Sequence, residues 1–187
     1  MKSSFRILLL ILIGFNAAFL SAEEGEKTLR SPDQKTIHLI FRSLEKQKSR
    51  IIEIGRTHLD EMRKISNKKN KNAGDNLRYD SISLKYDRIM SVSQSVGDLR
   101  QNIFFMILIL DYEKVFVDQK IKNTELLNVH LRIRKAGFSL MRKILDIEQE
   151  VIKKNQIEIQ NTTAVITINS ILENLEKLDT FLKEYKF

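Results

Sequence analysis

The sequence predicts an all-α fold, an antiparallel bundle of about four long helices, and three observations carry that expectation. Apolar residues recur at alternating spacings of three and four, which places them on one face of a helix. A single proline in 187 residues leaves long helices unbroken. The 42% hydrophobic content is enough for one buried core, in a chain too short for two ordinary domains. Zero cysteine excludes disulfides, thiolate metal sites and a cysteine nucleophile.

Residues 1–22 read as a secretory signal peptide. Lys2 and Arg6 form a positive start, Ile7 to Ile13 is solidly apolar, and Leu20-Ser21-Ala22 leads into Glu23-Glu24. The alternative, a retained membrane anchor, fits less well, because acidic residues follow a run shorter than the roughly 20 residues of a span. Leu20-Ser21-Ala22 also matches the front of a lipobox, but Glu23 stands where the lipidated cysteine would be, so the expected product is exported, periplasmic or extracellular, and not a lipoprotein. Without the signal, 30 Lys and Arg oppose 24 Asp and Glu, a net charge of +6. Outside the cytosol that charge suits anionic glycans or lipid head groups, or simply a solvated surface, and no nucleic-acid partner is expected.

The rest of the chain, 31–187, reads as one helical-bundle domain after a flexible leader over 23–30. Ser31-Pro32-Asp33-Gln34 combines a cap, a first-turn proline and a capping box. Ile37, Phe41, Leu44, Ile51, Met62 and Ile65 then form the stripe of a first helix, with Lys48, Gly55 and His58 in the gaps. Residues 66–80, rich in Asn, Lys and Gly, read as a basic mobile loop, and Lys68, Lys69 and Lys71 in it are the candidate contacts to an anionic partner. The second helix is expected from Asp80 or Ser81, carrying Ile82, Tyr86, Ile89, Val96, Leu99 and Ile103, with Gly97 as a candidate bend. Ile103 to Leu110 is eight apolar residues in a row and is expected to be buried on all sides. Asn123 or Thr124 caps a third helix to about Asn155, with Leu127, Leu131, Phe138, Met141, Leu145 and Val151 inward. A fourth starts near Asn161 and carries Val165, Ile168, Leu172, Leu175, Leu182 and Tyr185, although β-branched Thr162 to Ile168 are weak helix formers.

Catalytic signatures are missing. His38, His58 and His130 are preceded three residues earlier by Lys35, Gly55 and Leu127, so no Glu-x-x-His pair for a di-iron bundle exists. No His-x-x-x-His pair, P-loop, dinucleotide fingerprint or Gly-x-Ser-x-Gly elbow occurs. His58 shares the apolar stripe and is expected to be partly buried and bonded to a neighbour. The basic clusters at Arg132-Arg134-Lys135, Arg142-Lys143 and Lys153-Lys154 are interspersed with acids, as ordinary i,i+4 pairing requires. No cofactor, no metal and no enzymatic activity are expected, unless folding gathers His58 or His130 with carboxylates in a cleft.

The stretch from Leu99-Arg100 to Leu110-Asp111-Tyr112-Glu113, followed by spaced leucines, resembles the helical outer-surface antigens of Lyme-disease spirochaetes. In that family, which includes complement-regulator-binding proteins, an Arg-bearing helix leads into a Leu-Asp-Tyr segment within an all-helical domain. Its members are lipid-anchored through a cysteine, where this chain has Glu23, so the resemblance implies an exported offshoot and transfers no binding residues. The functional expectation is a non-enzymatic helical interaction protein of the bacterial cell envelope with a protein partner. A periplasmic holdase chaperone for outer-membrane proteins is the alternative, by analogy.

Overall fold

Residues 34–118, 123–159 and 161–184 are described by a computed structural model. They form four helices, α1 (Gln34–Ser66), α2 (Ala73–Asp118), α3 (Thr124–Glu158) and α4 (Thr162–Glu184). The signal segment, the leader, the Ser31 cap and Tyr185 lie outside the described residues.

Each helix lies against two neighbours, α1 against α2 and α4, and α3 against α2 and α4. Contacts along each pair run antiparallel. Gln34, Glu45 and Glu61 of α1 bond to Leu110, Arg100 and Arg78 of α2. Glu113, Ser91 and Arg88 of α2 meet Arg134, Asn155 and Glu158 of α3. Gln47 donates to Ser170 of α4 at 2.7 Å and Asn174 donates to Ser43 at 3.1 Å, which pins α4 to α1. Arg142 of α3 donates to the Leu182 carbonyl, one of the last-turn acceptors that α4 itself leaves open.

The caps explain the boundaries. Asn123 accepts the Leu126 N–H at 3.1 Å and Asn161 accepts the Ala164 N–H at 3.0 Å, as the sequence predicts. The weak helix formers after Asn161 are helical from Thr162 onward. The expected loop over 66–80 is a loop only at 67–72, and α2 begins seven residues before Asp80. The reason is a reciprocal cap: Asn72 accepts the Asp75 N–H at 2.8 Å, and the Asp75 carboxylate accepts the Asn72 N–H at 3.4 Å. Gly97 interrupts nothing; α2 continues through it, with the Lys48 ammonium over the space a Cβ would take.

The core unites Ile37, Leu44 and Ile51 with Ile89, Val96, Leu99 and Ile103, with Phe138, Met141 and Leu145, and with Ile168, Leu175 and Leu182. Phe41 is half-buried beside that core, and Ile40 and Gln47 take the buried positions next to it. On α3, Leu127, Leu131 and Val151 are half-buried, not inward; His130, Arg134, Ile152 and Asn155 are buried. The run from Ile103 to Leu110 departs most from expectation. Only Ile103, Met106, Ile107 and Leu110 are buried, whereas Phe104, Phe105 and Leu108 face out. With α1 and α3 packed against it, α2 keeps an outer side that stays exposed among the described residues, whatever its composition.

Replacing Ile107 with Ala should cost about 2–5 kcal/mol through lost burial and a cavity, and Ile107→Asp should prevent folding. Leu108→Asp, one position on, should cost under about 1 kcal/mol. Urea unfolding followed by circular dichroism checks all three.

Candidate functional site

Two features stand out on the α2–α3 hairpin, one buried and one exposed. The buried one is polar. The Glu113 side chain has no exposure, and Arg134 Nη1 donates to its Oε1 at 2.5 Å. His130, one turn from Arg134, places Nε2 at 3.7 Å from the other carboxylate oxygen, and its ring lies 5.1 Å from that of Phe116. The Arg134 guanidinium also sits 5.8 Å over the Phe138 ring. A carboxylate in an apolar interior demands a cation and hydrogen bonds; Arg134 supplies the cation and one bond, to Oε1, while the buried Oε2 faces His130 Nε2 beyond hydrogen-bond distance.

Close approach of the two helices continues one turn away. A Cβ on Gly137 would lie 2.7 Å from Ile109 Cδ1, so α3 comes as near to α2 as the missing side chain allows. Together the ion pair and the glycine fix which residues of α2 and α3 lie side by side. Phe105 then sits at the level of Leu140, and Tyr112 at the level of Ile133.

The exposed feature is apolar and lies on the outside of the same hairpin. On α2, Phe104, Phe105, Leu108, Tyr112 and Val115 fall within one outward arc, with no charged residue between them on it; Phe105 and Tyr112 stand at its α3 edge and Phe104 at its α1 edge, its ring 6.2 Å from that of Phe41. On α3, Leu126, Val129, Ile133 and Leu140 share an outward stripe with exposed Ala136, spaced three and four apart. The nine larger side chains range from 38% to 68% exposed. Taking about 150–250 Å² for a fully exposed large apolar residue, they present on the order of 800 Å². The largest patch of a typical monomer is about 300–600 Å².

The lysines named from sequence stand elsewhere, on the α1–α2 turn. Lys68, Lys69 and Lys71 are all exposed there. Lys68 is committed to Asp75, its Nζ at 2.6 Å from Oδ1. That bond, with the Asn72 backbone N–H, holds the Asp75 carboxyl below its ordinary value of 3.8. Only Lys69 and Lys71 keep the outward character expected of an anion-binding loop, and the helix cap shortens that loop to six residues.

His58 behaves as its place in the stripe suggests. It is buried, and its Nδ1 lies 2.9 Å from the Ile54 carbonyl, which can only accept, so Nδ1 carries a proton. His130 does meet a carboxylate, but in a closed hairpin interior. Open grooves between α1 and α4 are lined by other residues, among them Thr36, Glu173, Glu176 and Lys177 in one of about 600 Å³. Among the described residues no group of His, Asp and Glu is arranged to hold a metal ion, and no helix is long and apolar enough to cross a membrane.

No family model matches the chain, and neither a curated protein nor a solved structure matches it.

The sequence carried a signal for the outer face. Leu126, Val129, Ile133, Ala136 and Leu140 form a second three-and-four series beside the one assigned to the core. Glu113 gave no such signal, since an acid after an apolar run reads as the return of solvent.

Glu113→Gln should cost about 1.5–3 kcal/mol by replacing the charge-assisted bond to Arg134 with a neutral one. The double replacement Glu113→Leu with Arg134→Met should recover most of that loss, measured as a double-mutant cycle in urea. By NMR titration, Asp75 should ionise below 3.8, and Lys68→Ala should move it back up. Because the folded value is depressed, the stabilisation is present at neutral pH and lost as pH falls through it.

Proposed function

We propose that the protein is an exported, non-enzymatic interaction protein of the bacterial cell envelope that works through the outer face of its α2–α3 hairpin. The observation that carries this reading is the size of that face. About 800 Å² of clustered Phe, Tyr, Leu, Ile and Val left in water is unfavourable unless something covers it in use. Aromatic anchors such as Phe104, Phe105 and Tyr112 are the residues that dominate protein–protein contacts. The signal-like N-terminal segment supports export, and the likeness of Leu99–Glu113 to spirochaete surface antigens supports the envelope. An anionic glycan or lipid contact through Lys69 and Lys71 is secondary in this reading.

The same apolar face favours a second reading, a holdase that clasps unfolded outer-membrane chains. Such a protein suppresses aggregation of unfolded β-barrels, whereas an interaction module with a folded partner does not.

A photoreactive phenylalanine analogue at Tyr112 should give covalent adducts in the cells that make the protein, and one at Leu77 should give none. The tagged chain should fractionate outside the cytosol. An absence of adducts from Tyr112, or a cytosolic chain, would overturn the reading.

A further inference from the structure

We propose that the partner of the α2–α3 face is a second copy of this chain, joined by a two-fold axis that passes near Ile133. The proposal rests on the reading of that face as the working surface and names its occupant.

Area is the first argument. A standard stable interface buries about 800 Å² from each partner, and the exposed side chains of the face offer an area of that order.

The pattern on α3 is the second. Leu126, Val129, Ile133, Ala136 and Leu140 keep a heptad-like spacing of three and four over two heptads, the stripe that one helix presents to another. Ile133 lies at its centre. In an isologous contact residue i meets j and j meets i, so an axis at Ile133 sets Leu126 against the partner's Leu140 and Val129 against the partner's Gly137, beside its Ala136. Both ends of the stripe then match in size, a branched aliphatic to a branched aliphatic at one pair and a small residue to valine at the other.

Charge is the third argument. Glu125 and Lys143 are exposed and flank the stripe at its two ends, on the same side of the helix. Antiparallel pairing about Ile133 brings each Glu125 towards the partner's Lys143. Two aromatics of α2, Phe105 and Tyr112, lie beside the stripe and close over the partner's α3 as the anchors of the contact.

The protein purified in the form its cells accumulate should sediment at twice the mass of one chain at about 10 μM, within the range that interfaces of this size span. Phe105→Lys with Leu140→Lys should convert it to a monomer that keeps its helical circular dichroism. Because the chain has no cysteine, Ile133→Cys introduces one thiol per chain. A short bismaleimide should link two such chains, and should leave Leu77→Cys, at the far end of α2, unlinked. A dimer that survives the paired lysine replacements, or in which Ile133→Cys does not link, overturns the proposal. So does a monomer. A monomer whose Tyr112 analogue still forms adducts with a different protein in cells, or which binds vesicles of anionic phospholipid, keeps the interaction reading and assigns the face to that other occupant.

Discussion

A carboxylate with no contact to water, that of Glu113, needs a cation in reach, and the hairpin is built around that need. Arg134 meets it from the neighbouring helix at 2.5 Å. Any slip of α3 along α2 by one turn, about 5.4 Å, would take the buried Glu113 carboxylate away from its cation, at a cost of several kcal/mol. Apolar stripes alone tolerate such slips, because one leucine replaces another. The ion pair does not. It fixes the register of the longest helix of the bundle against its neighbour, and Gly137 against Ile109 fixes their separation.

That register has a consequence on the opposite side of the hairpin. Phe105 and Tyr112 come level with Leu140 and Ile133, so two stripes that would be modest alone merge into one apolar surface. Elsewhere the bundle uses weaker polar ties for the same purpose. Gln47 to Ser170 and Asn174 to Ser43 hold α4 against α1, and Asn155 to Ser91, at 3.3 Å, holds α3 against α2. These neutral bonds, each about 0.5–1.5 kcal/mol net, select a register without the penalty of buried charge. The buried pair punishes an error in alignment heavily, and it lies beneath the exposed face.

The bundle itself was legible in the sequence because three-and-four spacing and side-chain caps act locally. Asn123 and Asn161 each mark a helix start through a bond to an amide three residues on, and both starts stand where those residues predict them. Two features escaped for physical reasons. Where all eight residues from Ile103 to Leu110 are apolar, periodicity vanishes, and which of them face out depends on the positions of α1 and α3 alone. At 67–80, Asn, Gly and Asp suit both turns and helix caps, and the reciprocal bonds between Asn72 and Asp75 decide for the cap. The candidate site was less legible still. A lysine-rich turn draws attention through charge, yet solvated lysines gain little from binding, whereas exposed aromatics gain a great deal from leaving water.

The central claim is that the outer face of α2 and α3 is covered when the protein is at work. Hydroxyl-radical footprinting measures this directly, since oxidation of a side chain tracks its contact with water. Footprints of intact cells and of the purified chain diluted until it is monomeric should differ at Phe105, Tyr112 and Ile133, with several-fold lower oxidation in cells. Leu77 and Ile157, exposed away from that face, should be oxidised alike in both. Equal oxidation of Phe105 and Tyr112 in the two samples would contradict the account.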